Sequence, residues 1–310
     1  MRPFVLATCC LGFAAGGLAA CATATPTPLP SPTPQVESID FLLDRRFQTF
    51  INGTEAYGAL GMAEFRDWLD DDPAPFVLDV RTREEAEATG HIAGAVNIPL
   101  QELASRTELL PGFDTTIVTY CGSGWRCTMA LPVLAALGWE SVYTLIDGSL
   151  SGWQLQGYPI VPGAPPEPAK LNAVAPDPRA LEHMHAVLAS LPDDNGAMSP
   201  EGLDQALGDG DPLVLLDIRT ADETQTKGTI RSTSQLRISI DELTARRGEL
   251  PQDKSTRIVT YCGTGYRCLL GMMMLRSYGY TDVRNLVGGL EAWQAEGFPV
   301  EGIIAATPTL

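Results

Sequence analysis

Cys121-Gly122-Ser123-Gly124-Trp125-Arg126-Cys127 is the stretch that decides the fold, because it occurs twice. The second copy reads Cys262-Gly263-Thr264-Gly265-Tyr266-Arg267-Cys268. Each copy follows a short β-branched run ending in tyrosine, Thr116-Ile117-Val118-Thr119-Tyr120 and Arg257-Ile258-Val259-Thr260-Tyr261. Each leads into an apolar stretch that predicts a helix. A cysteine between strand and helix, followed by small residues and an arginine, reads as a nucleophile in an anion-binding cradle. Backbone N–H groups of such a loop can converge on one point, and the following helix adds its positive N-terminus. Glycines such as Gly122 and Gly124 suit the dihedrals this needs.

Outward from the loops, the chain repeats from Val36 onward. Phe76-Val77-Leu78-Asp79-Val80-Arg81 returns as Val214-Leu215-Leu216-Asp217-Ile218-Arg219, and Glu85 as Glu223. Gly138, Gly148 and Trp153 return as Gly279, Gly288 and Trp293. Asp79 and Asp217 stand 138 residues apart, Cys121 and Cys262 141, and Trp153 and Trp293 140. A register held that far means duplication of a domain. Entry helices are predicted around Ile39 to Phe50 and Leu181 to Leu191, a strand at Val142 to Leu145, and a helix start at Ser199-Pro200-Glu201. Short strands alternating with helices predict α/β units with a mainly parallel sheet. The boundaries read as domain 1 over 36–163, a proline-rich linker over 164–176 and domain 2 over 177–304.

The 310 residues suit two modest domains rather than one core. A net charge of −17 argues against nucleic acid as a partner, and an anionic substrate then needs a locally positive site. The seven cysteines form no disulfide framework, and with only His91, His183 and His185 beside them a zinc site is disfavoured. Neither a metal nor an organic cofactor is implied. At the N-terminus, Arg2 and the apolar run from Phe4 to Leu18 predict a secretory signal over 1–20. Leu18-Ala19-Ala20-Cys21 resembles the lipobox of bacterial lipoproteins, which implies lipidation of Cys21. The Pro/Thr-rich linker over 21–35 tends to polyproline II and would hold a body off a membrane. The expectation is an exported, extracytoplasmic protein tied to a membrane by its lipid anchor.

The ordered series Asp79-Val80-Arg81, Glu85, Gly90-His91-Ile92-Ala93-Gly94-Ala95, the Cys121 loop, Gly148 and Trp153 resembles the rhodanese family of sulfurtransferases. The resemblance covers roughly 62–161 and 198–300. It implies a five-stranded parallel sheet flanked by helices, with the reactive cysteine after the central strand. It implies that Cys121 and Cys262 accept a sulfane sulfur as a persulfide and pass it on. Such transfer needs a thiolate, which the cradle should favour. Gly122, Ser123, Gly124, Trp125 and Arg126, with Gly263, Thr264, Gly265, Tyr266 and Arg267, are the candidate substrate-binding set. The two guanidinium groups would hold a small anionic donor such as thiosulfate, the hydroxyls would hydrogen-bond it, and the aromatics would wall it.

Four residues separate each cysteine from its arginine, one fewer than in tyrosine-phosphatase-like loops, so the ring suits sulfur better than phosphate. The start Cys-Gly-Ser-Gly also resembles the 3-mercaptopyruvate sulfurtransferase loop, but here Trp125-Arg126 and Tyr266-Arg267 follow, and the added charge favours a small inorganic donor. A non-catalytic sulfur carrier or redox sensor is the remaining alternative. Cys127 and Cys268 read either as packing or as resolving thiols. Asp79, Arg81 and Glu85, and their repeats, read as a structural ion-pair set, and His91 as a turn residue. Gly228-Thr229-Ile230-Arg231-Ser232 departs from the first copy, and a displaced segment is expected there.

Overall fold

The computed structural model describes residues 37–168, 170–171 and 175–302. The predicted signal, the first linker and Cys21 lie outside them, as does part of the linker over 164–176. In the first repeat, helix α1 (Ile39–Gly53) precedes strand β1 (Ala59–Leu60), α2 (Met62–Trp68), β2 (Phe76–Asp79), α3 (Arg83–Thr89) and β3 (Val96–Asn97). Then come β4 (Ile117–Tyr120), α4 (Trp125–Leu137), β5 (Val142–Leu145) and α5 (Ser149–Leu155). The second repeat runs α6 (Pro178–Ala189), β6 (Ala197–Met198), α7 (Pro200–Asp209), β7 (Leu213–Asp217), α8 (Ala221–Lys227) and β8 (Gln235–Arg237). It ends β9 (Arg257–Tyr261), α9 (Tyr266–Ser277), β10 (Val283–Leu286) and α10 (Gly289–Ala295).

Each repeat is a five-stranded parallel sheet, ordered β1-β5-β4-β2-β3 and β6-β10-β9-β7-β8. The fold is α/β, with helices flanking both sheets. The middle strands, β4 and β9, pair on both sides, and Val118, Thr119, Val259 and Thr260 are fully buried. That explains their β-branched sequence, since a parallel strand covered on both faces shows no polar alternation. The cysteines follow at the C-terminal ends of these strands, where open parallel sheets place ligands. Local signals agree with the elements formed. Thr82 and Thr220 close capping boxes with Glu85 and Glu223 at the starts of α3 and α8. Ser199 caps α7 with Pro200 in its first turn.

Two sequence expectations need correction. The sheets are separate, but the core is not. One continuous apolar cluster includes Leu43 and Phe47 of α1, α4, Met184 and Leu188 of α6, and α9, so it runs through both repeats. Helix α4 packs against α9, and α6 packs on α4. Helix α1 reaches across in turn: Asp40 and Asp44 pair with Arg247 at 2.6 and 3.0 Å, and Tyr278 donates to Asp44 at 2.7 Å. A second, smaller cluster around Phe65, Tyr120 and Trp153 fills the other face of the first sheet. The sequence missed this merging because α4 and α9 are apolar on every side, which marks a buried helix but not its neighbours.

The segment after Gly228 is likewise not displaced. Strand β8 pairs parallel to β7 as β3 does to β2. Thr229 bridges Glu301 antiparallel, as His91 bridges Val161. The two extra residues between bridge and strand are absorbed in a local turn, where the Ser234 N–H donates to Ser232 Oγ at 3.2 Å.

Candidate active site

Each loop begins where its central strand ends. Thr119 Oγ1 donates to the Cys127 carbonyl at 3.1 Å, and Thr260 Oγ1 to the Cys268 carbonyl at 3.2 Å. These bonds tie the first helical turn to the strand and force the intervening residues to curl. Gly124 and Gly265 make the turn at φ 102° and 96° and stand at the helix N-termini. An L side chain at either would be strained. From there, the Gly124 N–H donates to Cys121 Sγ at 3.2 Å and the Gly265 N–H to Cys262 Sγ at 3.3 Å. The next helix anchors the loop from outside. Leu150 N–H donates to the Cys121 carbonyl and Ser151 N–H to the Gly122 carbonyl; Leu290 and Glu291 do the same in the second repeat.

Both cysteines are 1% exposed, which alone would keep them protonated. The surroundings reverse that. At Cys121 the thiol of Cys127 is the main cause; the N–H groups of Cys127, Ser123 and Gly124 act with it against burial, bringing the pKa down to about 6. At Cys262 burial is the largest influence and raises the value. The Cys268 thiol, the Cys268 N–H, the Arg267 charge and the Gly265 N–H together outweigh it, again to about 6. Both sulfurs are therefore mostly thiolate at neutral pH. Cys127 and Cys268 are fully buried, and burial pushes their thiols well up. They sit in the first turn of α4 and α9 as proton-bearing donors toward the reactive sulfurs.

The arginines are held differently from the expectation of a free anion clamp. Arg126 forks onto Glu85 at 2.6 and 2.7 Å. Arg267 forks onto Glu223, with Nη1 at 2.8 Å. The arginine draws each carboxyl down to about 2. Glu85 is thus not part of one set with Asp79 and Arg81, as the sequence reading had it. That pair is buried by itself: Arg81 Nη2 lies 2.5 Å from Asp79 and 2.8 Å from the Gly90 carbonyl, under the Tyr120 ring. Arg219 and Asp217 repeat it under Tyr261. His91 is not in the turn but in the antiparallel bridge to Val161 just before it, its Nδ1 at 2.7 Å from the Gly163 carbonyl.

The two loops open on one space. A cavity of about 530 Å³ is lined by Ser123, Gly124 and Trp125 from one side and by Thr264, Gly265 and Tyr266 from the other. Sequence reading found all six but had no signal that they face a common chamber. It also missed Ser149, whose hydroxyl accepts the Cys121 N–H at 2.9 Å and lies 3.7 Å from Cys127 Sγ. It missed Tyr57, whose carbonyl accepts from the Tyr266 hydroxyl at 3.0 Å. Ser149 could have been found in the alignment of Gly148-Ser149 with Gly288-Gly289; nothing local marks Tyr57.

Residues 62–156 and 199–296 match the family model described as Rhodanese-like domain. A protein named Sulfurtransferase from Allochromatium vinosum is 36% identical over 100 residues, covering 32% of this chain and 89% of that protein. An HTH-type transcriptional regulator of Mycobacterium tuberculosis is 46% identical over 91 residues, covering 29% of this chain and only 38% of that protein. Among solved structures, a thiosulfate sulfurtransferase from Pseudomonas aeruginosa aligns with 25% identity and a TM-score of 0.34, over 79% of this chain and 43% of that one.

Proposed function

The chain belongs to the rhodanese-like domain family, and from that premise we propose that it transfers sulfane sulfur from thiosulfate to cyanide or a thiol through persulfides on Cys121 and Cys262. The observation that carries this reading is the pair of buried sulfurs, each brought to about pKa 6 by N–H and thiol donors at a helix N-terminus. The thiolate attacks the outer sulfur of thiosulfate; that S–S bond breaks, and sulfite leaves with its electron pair. The acceptor, as cyanide or thiolate, then attacks the outer sulfur of the persulfide, and the cysteine leaves as thiolate. Loop N–H groups that steady a thiolate serve equally for the anionic outer sulfur.

With each guanidinium engaged by a glutamate, the donor would meet the loop N–H groups, Ser123 or Thr264, and the remaining N–H bonds of a fixed arginine fork. A 3-mercaptopyruvate donor is the competing reading, and rates with the two donors side by side separate them. Thiocyanate formation from thiosulfate and cyanide tests the chemistry. Cys121→Ser and Cys262→Ser should each remove one share of turnover, and the double variant should lose on the order of 10³-fold or more. Full activity in the double variant rules the proposal out.

We propose also that Cys21 carries a lipid that tethers the body outside the cytoplasm, a reading that rests on Leu18-Ala19-Ala20-Cys21 and the spacer after it. Recovery of Cys21→Ala in the membrane fraction at the unaltered level would overturn it. No helix among the described residues is long and apolar enough to cross a membrane.

A further inference from the structure

We propose that Tyr57, a residue of the first repeat, is a positioning residue for the second reactive loop. The inference starts from the backbone. Ala56 and Tyr57 are consecutive non-glycine residues in the left-handed region, at φ 48° and 59°. Such strain persists only where surroundings over-determine it, and it concentrates at working sites. Gly58 pins the turn from behind: a Cβ there would come 2.7 Å from the Val142 carbonyl oxygen of β5.

In this turn, three parts of Tyr57 address the second repeat. Its hydroxyl donates to Asp241 Oδ2 at 3.0 Å. Its carbonyl accepts from the hydroxyl of Tyr266, inside the second loop, at 3.0 Å. Its ring lies 5.9 Å from the Arg267 guanidinium carbon, within cation–π range. Arg267 is thus held between Glu223 on one side and the Tyr57 ring on another, in the loop that activates Cys262.

Among the described residues the first loop receives no such service. The residue matching Tyr57 in the second repeat is Asn195, before Gly196, and it keeps the left-handed backbone at φ 52° without a ring to offer. Trp125, the partner of Tyr266, has its buried Nε1 without a hydrogen-bond acceptor among the described residues. The turn is shorter on the second side, where Asp194 at the place of Ala56 is not left-handed, and among the described residues only the first copy reaches into the opposite site.

The proposal rests on the reading of Cys262 as a reactive thiol, and its test separates the two. Tyr57→Gly suits the left-handed backbone and removes the ring and hydroxyl, while Tyr57→Phe keeps the ring. In a Cys121→Ser background, where only the second loop works, Tyr57→Gly should lower kcat/KM for thiosulfate by about ten- to a hundredfold, with Tyr57→Phe restoring most of it. In a Cys262→Ser background the same change should leave kcat/KM within about twofold. The second readout needs no turnover: the pH midpoint for alkylation of each cysteine. The groups acting on Cys262 are Cys268 and Arg267 on α9, with Glu223 and Tyr57 acting through Arg267. Displacing the guanidinium should raise the Cys262 midpoint and leave that of Cys121 in place. Equal losses in both backgrounds, no loss in either, or midpoints that stay together overturn the proposal. If neither parent turns over thiosulfate, the sulfur-transfer reading fails, and the midpoints still decide the role of Tyr57.

Discussion

The loop at Cys121 is backed by Ser149, and the loop at Cys262 by Gly289. The two positions share a left-handed backbone, at φ 53° and 60°. In the first repeat the Ser149 hydroxyl takes the Cys121 N–H. In the second there is no room for one, since a Cβ on Gly289 would lie 2.7 Å from the carbonyl oxygens of Cys262 and Gly263. Each thiol lies in the field of its own loop arginine, but the Arg267 charge ranks among the main causes that lower Cys262, and Tyr57 stands over that arginine. In both sites the neighbouring thiol is the strongest lowering influence, and both thiols come down to about 6. What differs is the support: Ser149 backs the first loop from its own repeat, and Tyr57 of the opposite repeat stands over the arginine of the second.

The largest test of this comparison lies beneath the loops. Arg81→Leu and Arg219→Leu each leave a buried aspartate unpaired, which typically costs about 3–5 kcal/mol. Arg81 is satisfied on every side, including Thr89 Oγ1 at 2.6 Å, whereas Arg219 Nη1 has no partner among the described residues. The first substitution should therefore cost more in denaturant unfolding. Equal losses would mean that the two frames are interchangeable.

Exchanging the backing residues comes next. Gly289→Ser should destabilise by roughly 1–3 kcal/mol through overpacking, seen as a lower Tm. The reverse change, Ser149→Gly, removes an acceptor from a buried N–H and should cost about 1–2 kcal/mol. If Gly289→Ser is neutral, the second loop is more compliant than its close contacts imply.

The smallest effect is electrostatic. Activity or alkylation at each cysteine should be present above about pH 6 and fall as pH drops through it, because the thiolate is the reacting form. Cys127→Ala and Cys268→Ala each remove a donor to the thiolate, so each midpoint should rise. Both rises follow from the neighbouring thiol, the largest lowering influence at each cysteine, while Arg126 and Arg267 remain in place. A midpoint that stays in place at either cysteine would overturn the role given to its neighbouring thiol.

What the sequence disclosed was whatever is written in short-range pattern. The runs Ile117–Tyr120 and Arg257–Tyr261, the glycine at 124 and the Ser199-Pro200 start of α7 announce strands, a turn and a cap by residue type alone. The duplication supplied the rest of the layout. What stayed hidden depends on residues far apart in the chain. Glu85 and Arg126 are 41 residues apart, and both belong to helix starts that look self-sufficient. Because Glu85 already had a local role in its capping box, its second partner left no trace in the pattern. Tyr57 lies 209 residues from Tyr266, and the contact is made through a carbonyl, which any residue owns. The merging of two cores was invisible for a related reason: apolar residues record that a surface is covered, not by what.

The burial of α4 and α9 has a consequence for how this molecule can change. From Cys127 to Leu137 and from Cys268 to Ser277 every residue is buried, and part of what buries each helix belongs to the other repeat. A half released on its own would carry a bare apolar flank beside its reactive loop, the kind of patch that drives association. Duplication, which ordinarily frees one copy to drift or be lost, has here made each copy the solvent shield of the other. A deletion that discards the weaker site would take with it the wall of the stronger one.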